Sequence, residues 1–323
     1  MDTQQIRTPH VVVQHRQVDL NEDVLREILS HADIQSVLQL CQVNKTLCYQ
    51  YDDLFKQIYQ RVYHQTGMDV FKNKTTDMTW FQLLKLCYLL SLLLILPSLK
   101  KYTMKVLYMK TQLDLSNSKI KGLPPEMGQL IHLQQLSLSY NQLSALPSEM
   151  GKLSHLQELY LSYNQLSALP PEIGQLIHLQ RLCLSYNKLS ALPPEIGQLS
   201  TLQRLDVSNN QLSALPSEIG QLGALQELYL DNNKLRALPP EIGQLRDLKY
   251  LSLSNNQLSA LPTEMGQLGA LQELYLSNNQ LSVFPPEMGQ LNHLTFLYFY
   301  NNNLSSALKN EIKRQLPKTR IIL

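Results

Sequence analysis

The chain has 323 residues, long enough for two domains or one elongated array, and a formal net charge of +2. Residues 1–110 carry 13 basic and 10 acidic groups and the remainder 15 and 16, so neither part makes a polybasic or polyacidic surface and nothing favours nucleic acid as a partner. Cys41, Cys48, Cys87 and Cys183 form no C-x-x-C pair and stand beside no histidine cluster, which argues against a zinc site or a disulfide framework and for thiols in a reducing interior.

At the N-terminus, residues 1–17 have polar residues where a secretory signal needs an apolar run, so a flexible tail on a cytoplasmic chain is expected. Without such a signal the sequons at Asn44, Asn73 and Asn303 carry little meaning. Residues 18–63 then show three groups of apolar residues at helical spacing. Val24, Leu25, Ile28 and Leu29 form the first, Val37, Leu38, Leu40 and Val43 the second, and Leu54, Phe55, Ile58 and Tyr59 the third. Asn21, Asp33 and Asp52 stand where helix N-termini favour capping or acidic side chains. A small all-α domain is predicted, and so short a segment makes a marginal core whose leftover apolar surface favours a partner.

These residues resemble an F-box. Leu20-Asn21-Glu22-Asp23-Val24-Leu25 stands where that family has Leu-Pro-x-Glu and apolar residues, and Ile28-Leu29-Ser30 matches its I-L-S. The stretch from Val37 to Lys45 matches the segment ending in Val-Cys/Asn-Lys/Arg, and Asp53 to Tyr59 matches D-x-L-W-x-x-L-Y, with Phe55 for the tryptophan. The resemblance implies docking onto the Skp1 adaptor of a cullin-RING ubiquitin ligase, through Leu20, Asn21, Val24, Leu25, Ile28, Leu29, Val37, Leu40 and Val43. The wording Val43-Asn44-Lys45-Thr46-Leu47 is also similar to F-box proteins of large DNA viruses of amoebae, which would place the chain in a host cytoplasm. The alternative for these helices is a cap without adaptor function.

Residues 64–109 are predicted to be a helical connector and N-terminal cap. Within them Trp80–Leu96 is apolar apart from Gln82, Lys85 and Ser91. A membrane span needs about 20 apolar residues, and this stretch is shorter, carries a charge and ends at Pro97. A buried connecting helix is expected, with membrane attachment as the alternative.

From Leu113 onward the chain repeats every 23 residues as L-x-x-L-x-L-x-x-N-x-L-x-x-L-P-x-E-I/M-G-x-L. The asparagines Asn141, Asn164, Asn187, Asn210, Asn233, Asn256, Asn279 and Asn302 mark the register, and Ser118 holds that place in a degenerate first copy, making nine. Alternation in Leu136-Ser137-Leu138 puts both leucines on one face of a short strand. Leu133, Leu143, Leu146, Met150 and Leu153 turn inward as the chain curls back. One copy cannot bury these residues alone, so neighbours must stack. The asparagine amide both donates and accepts, so at the bend after the strand it can satisfy unpaired backbone groups and form a ladder along the stack. Proline lacks an N–H and fixes φ, which suits a short extended or 3₁₀ return.

This pattern resembles the 23-residue leucine-rich-repeat class of Ras-suppressor-like scaffold proteins over residues 110–304. It implies a right-handed α/β solenoid whose parallel, concave sheet binds protein. Past the repeats, Leu304, Leu308, Ile312 and Leu316 share a helical face and Thr319–Leu323 is β-type, so residues 305–323 are predicted to be a C-terminal cap of helix plus strand.

The variable positions around the strand leucines are the candidate partner face. Before the first leucine stand Glu158, Arg181, Arg204, Glu227, Tyr250, Glu273 and Phe296; between the leucines stand Tyr160, Cys183, Asp206, Tyr229, Ser252, Tyr275 and Tyr298. Just before the asparagine column come Tyr140, Tyr163 and Tyr186, then Asn209 and its successors. Two patches are expected: Tyr140, Tyr160, Tyr163 and Tyr186 with Arg181 and Arg204, and Tyr250, Tyr275, Phe296, Tyr298 and Tyr300. Exposed tyrosine and arginine are the residue types that anchor interfaces; the competing account is that tyrosine is a template residue of recent duplications. No phosphate loop or catalytic motif occurs, and no cofactor or metal is called for. The expected function is a non-enzymatic protein-binding module, an F-box substrate receptor, with a cytosolic scaffold or a membrane-attached binder as alternatives. The register predicts that Leu205→Asp, which would bury an unpaired charge, abolishes cooperative thermal unfolding, whereas Ser208→Ala leaves the midpoint nearly unchanged.

Overall fold

The structure is a computed structural model that describes residues 109–323; the three predicted N-terminal helices, the Trp80–Leu96 stretch and Cys41, Cys48 and Cys87 lie outside those residues. The described part is one parallel sheet of ten short strands in sequential order. They are β1 (Gln112–Asp114), β2 (Gln135–Ser137), β3 (Glu158–Tyr160), β4 (Arg181–Cys183), β5 (Arg204–Asp206), β6 (Glu227–Tyr229), β7 (Tyr250–Ser252), β8 (Glu273–Tyr275), β9 (Phe296–Tyr298) and β10 (Arg320–Ile322). Through β9 each residue pairs with the one 23 positions on, as in Leu182 with Leu205. The last pairing, Phe296 with Arg320, is offset by one more residue.

Each strand is only three residues long because one leucine is all it contributes to the core before the chain bends. Leu136 and Leu138 are both fully buried, and the pattern recurs in every copy to Leu297 and Phe299. Leu133, Leu143, Leu146, Met150 and Leu153 are buried from the returning half. Fully burying a side chain of this size contributes roughly 1.5–3 kcal/mol, and no copy can collect that alone because its neighbours supply the cover.

The return is a 3₁₀ turn in eight copies, from Pro125–Gln129 to Pro286–Gln290. In the fourth, Pro193 enters in extended conformation (φ −69°, ψ 148°), Pro194 opens the turn, and the Leu199 N–H closes it on the Ile196 carbonyl. The glycine of Glu-Ile/Met-Gly is required by proximity. A Cβ on Gly197 would lie 2.6 Å from the Glu218 carbonyl oxygen of the next copy. This contact sets how closely the copies stack on the returning side.

After the last repeat, helix α1 (Ser306–Gln315) is capped by Ser305, whose hydroxyl accepts the Leu308 N–H. Ile312 and Leu316 are buried, while Leu304 and Leu308 are half-buried. The helix takes the place of a further copy: Gly289, the last glycine of the column, faces Gln315 of α1 at an ordinary 3.6 Å. The chain then adds β10 to the sheet edge.

Gly223 precedes a strand in the same copy as the Ser217–Gln221 turn and has nothing within 4 Å of its Cβ position. Gly197→Ala is therefore expected to lower stability by about 1–3 kcal/mol through overpacking, while Gly223→Ala changes it by less than about 0.5 kcal/mol. Urea unfolding midpoints of the two variants measure the difference.

Candidate functional site

Because strand side chains alternate, the residues flanking each buried leucine lie on the solvent face of the sheet. The structure places Glu158, Tyr160, Arg181, Arg204, Asp206, Glu227, Tyr229, Tyr250, Glu273, Tyr275, Phe296 and Tyr298 there, on strands β3 to β9. It brings them together laterally, strand to strand, in a grouping that the sequence columns do not show.

Arg181 lies 3.5 Å from Glu158 on the neighbouring strand. Tyr160 donates its hydroxyl to the same carboxylate at 2.8 Å. Arg204 turns the other way. Its guanidinium bonds Glu227 at 2.5 Å, reaches the Tyr229 hydroxyl at 3.3 Å and lies over the Tyr229 ring at 4.4 Å. Arg204 is thus grouped with Tyr229 rather than with Tyr163 and Tyr186. Tyr229 in turn begins an aromatic row, with ring centroids 4.7 Å to Tyr250, 5.1 Å from Tyr250 to Tyr275 and 4.5 Å from Tyr275 to Tyr298.

Burial and neighbouring charges favour the protonated forms of Tyr229, Tyr275, Cys183 and Arg204. Burial and the hydrogen bond to Glu227 push Tyr229 up to about 12. Burial and Glu273 raise Tyr275 in the same way. Burial, with the nearby Asp206 charge, raises the Cys183 thiol, so this half-buried cysteine stays protonated and is a poor nucleophile. Burial works against the Arg204 charge, but Tyr229 and Glu227 outweigh it and hold its value above the usual one. The face therefore presents neutral phenol donors, carboxylates and two paired guanidinium groups.

Tyr140, Tyr163 and Tyr186 sit three residues past their strands, on backbone with φ of 57°, 58° and 55°. Asn209, Asn232, Asn255, Asn278 and Asn301 hold the same conformation in later copies. The left-handed region costs an ordinary L-residue roughly 1–2 kcal/mol, and asparagine tolerates it best after glycine. The three tyrosines occupy it while stacked almost face to face, at 4.3 Å and 8° for Tyr140 with Tyr163 and 4.2 Å and 9° for Tyr163 with Tyr186. They remain 57%, 39% and 47% exposed, which leaves their edges open to a partner. Tyr300, 41% exposed, stands at the far end of the sheet.

The eight asparagines of the ladder are turned into the structure. Asn164 donates to the carbonyls of Leu138 and Leu161 at 2.9 and 3.0 Å and accepts from the Leu143 N–H at 3.0 Å. Asn141, Asn187, Asn210, Asn233, Asn256, Asn279 and Asn302 make equivalent bonds in their copies. Their role in the described residues is backbone satisfaction.

Two residues of the face were absent from the candidate set. Asp231 accepts from the Ser252 hydroxyl and from the Ser254 N–H at 3.2 Å, and burial raises its pKa. Two places before the ladder asparagine most copies carry serine, as at Ser185, Ser208 and Ser254, and Asp231 breaks that run. Arg320, on β10, places its guanidinium 6.0 Å from the Phe296 ring; only the added strand brings it there. Among the described residues no group of His, Cys, Asp or Glu is placed to hold a metal ion, and no helix is long and apolar enough to cross a membrane.

Comparison with known proteins agrees with this architecture. A family profile described as a leucine-rich repeat region matches residues 86–188 and 171–248, and a second, leucine rich repeat, matches 223–281 and 246–304. An F-box domain profile matches residues 18–50. No curated protein matches the chain. Among solved structures, a leucine-rich-repeat protein of Leptospira interrogans is 33% identical over 65% of this chain and 83% of its own, with a TM-score of 0.31. An internalin from Listeria monocytogenes is 22% identical, covering 65% of this chain and 59% of its own, with a TM-score of 0.57. A TDR receptor is 27% identical, covering 68% and 43%, with a TM-score of 0.52. The chain thus spans less than two thirds of the latter two proteins.

The stacked tyrosines yield a test. Tyr140→Asn relieves one left-handed tyrosine and loses one stacked pair, two effects of similar size. Tyr163→Asn relieves the same conformation but loses two pairs. Tyr163→Asn is therefore expected to lower the thermal midpoint by roughly 2–4 °C more than Tyr140→Asn does, read by circular dichroism.

Proposed function

This chain belongs to the leucine-rich-repeat family and carries an F-box domain at residues 18–50, and we propose from that premise that it is a substrate receptor of a Skp1–cullin ubiquitin ligase. The two parts together make it a protein–protein interaction module. In the proposed division of labour, the F-box docks on a Skp1-type adaptor and the solvent face of the repeat sheet holds the protein to be modified. The setting is the cytoplasm, where adaptor and cullin are found.

The observation that carries this reading is the coexistence of the F-box match with a sheet face rich in half-exposed tyrosine and arginine. Those residue types anchor interfaces because they bring a large apolar area and a directed polar end at modest entropic cost. Leu20, Asn21, Val24, Leu25, Ile28, Leu29, Val37, Leu40 and Val43 are the proposed adaptor contacts. Tyr140, Tyr163, Tyr186 and Arg181 are the proposed centre of the N-terminal partner patch. Parallel strands lie about 4.8 Å apart, so ten of them offer a face on the order of 45 Å long, enough for a folded domain or an extended segment.

Affinity capture with the full chain in eukaryotic lysate tests it. Adaptor and cullin are expected to co-purify with the wild-type chain. Leu20→Glu with Ile28→Glu should reduce adaptor recovery at least about tenfold, an effect that a desolvated apolar contact can supply, with the repeat melting transition unmoved. Tyr163→Ala with Arg181→Ala should retain adaptor and lose captured partner. A wild-type chain that recovers partner without adaptor would replace the ligase reading with a scaffold one, and recovery confined to the detergent phase would replace it with a membrane-attached one.

A further inference from the structure

Three strands read Glu-Leu-Tyr: Glu158-Leu159-Tyr160 on β3, Glu227-Leu228-Tyr229 on β6 and Glu273-Leu274-Tyr275 on β8. In each the leucine is fully buried, so glutamate and tyrosine, two positions apart, share the solvent face. In each the phenol donates to the glutamate of its own strand, at 2.8, 3.0 and 2.7 Å. The unit is therefore a pre-arranged carboxylate beside an aromatic ring, with the carboxylate held by the ring's own hydroxyl.

Two of the three units hold an arginine. The sheet register sets Arg181 directly opposite Glu158 and Arg204 directly opposite Glu227. Arg204 uses every feature of its unit, with a charged hydrogen bond to the carboxylate, a contact to the phenol oxygen and a guanidinium over the ring. The molecule itself thus demonstrates what chemistry this pair accepts. On β8 the same register sets Tyr250 on one side of Glu273 and Phe296 on the other. Strands β6 to β9 contain no lysine or arginine at all. Next to these strands, Lys249 is bonded to Gln226 at 3.2 Å, and Arg320 lies on β10, beyond Phe296. Around Glu273 the flanking places are filled by aromatic rings, with Tyr275 lying between Tyr250 and Tyr298. Asp231 adds a second carboxylate to the same half of the face.

We propose that Glu273 and Tyr275, walled by Tyr250, Phe296 and Tyr298, bind an arginine side chain presented by an extended segment of the partner protein. Charge complementarity selects a basic segment, since the carboxylates of β6 to β9 have only Arg204 against them. Arginine is favoured over lysine because its planar fork can meet the carboxylate at two points while its flat face lies against the exposed parts of the aromatic wall. Tyr275 donates to Oε2 of Glu273, leaving Oε1 to accept the second prong. This inference rests on the reading that the solvent face of the sheet holds a protein, and it adds which chemistry that protein offers and where.

The experiment uses the full chain and a fluorescein-labelled peptide Gly-Gly-Arg-Gly-Gly-Arg-Gly-Gly, with counterparts carrying lysine or citrulline for arginine. Fluorescence anisotropy is expected to rank arginine above lysine and lysine above citrulline. Glu273→Gln keeps the size of the side chain and an acceptor for Tyr275, and is expected to weaken the arginine peptide at least about tenfold, the scale of a lost charge-assisted pair on an aromatic surface. Glu158→Gln is expected to change it less than about twofold, because that carboxylate is engaged by Arg181. Thermal midpoints of both variants control for folding. Equal losses at Glu273 and Glu158, equal binding of arginine and citrulline peptides, or no binding by the wild-type chain would each overturn the proposal. The outcome is independent of the adaptor. A failure here with Tyr163→Ala and Arg181→Ala still losing captured partner retires the arginine preference alone, whereas a failure here with those changes leaving partner capture intact retires the sheet face as the binding surface.

Discussion

One amide per copy holds the array together. The Asn187 side chain donates to a carbonyl in its own copy, Leu184, and to one in the copy before, Leu161, and accepts the Leu166 N–H of that earlier copy. These backbone groups lie where the chain leaves the strand and has no sheet partner, and unpaired they would each cost about 1–3 kcal/mol on burial. Asparagine is the side chain that fits, being short and carrying donor and acceptor on one planar group. Aspartate has no donor for the two carbonyls, and a longer glutamine would move both functions away from them. The strand spacing, the leucine stacking and the placement of every solvent-face residue follow from repeating this bond set eight times.

The opposite side of each copy is fixed by absence of a side chain. Where Gly174 approaches the Glu195 carbonyl, a Cβ would sit at 2.6 Å, so glycine lets the returning segments pack as closely as the asparagines draw the strands together. With one constraint on each side, adjacent copies have little freedom to slide. That rigidity is what lets rings from different copies stack within 10° of parallel. It also means a partner meets a surface with fixed spacing, so side-chain ordering costs on binding are small.

The buried leucines and the proline-led 3₁₀ turn were legible because each is repeated every 23 residues. The α1 helix with its closing strand was legible from the helical spacing of Leu304, Leu308, Ile312 and Leu316 and the β-type run that ends in Leu323. Lateral relations were not. Whether Arg204 turns to β4 or to β6 depends on which neighbour offers both a carboxylate and a ring, and columns read down the sequence give no direction. The left-handed backbone in the column before the ladder position was equally hidden, although six asparagines there, Asn117 and the five from Asn209 to Asn301, were its trace. Arg320 joins the face only through a register one residue longer than the repeat, which periodicity points away from. The N-terminal helices, by contrast, rest on sequence and on the F-box match over residues 18–50.

The left-handed column bears on whether tyrosine at Tyr140, Tyr163 and Tyr186 is a relic of duplication. The fold's own preference at that backbone is visible in the later copies, where asparagine occupies it five times. A relic would be expected to drift toward asparagine in each copy separately, since asparagine relieves the conformation without disturbing the core. Instead the three tyrosines are consecutive and in mutual contact, so each stacked pair offsets part of the conformational cost of its members. That coupling makes the first replacement unfavourable in the middle of the run and nearly neutral at its end. The row can therefore persist as a unit once formed, and persistence alone does not require a ligand. What stacking leaves unexplained is the exposure that the three side chains keep, which a purely internal role would bury. The same logic separates the two ends of the sheet. At the N-terminal end the tyrosines answer one another, and at the C-terminal end Glu273 and Tyr275 repeat a motif that elsewhere answers an arginine, with only aromatic neighbours beside them.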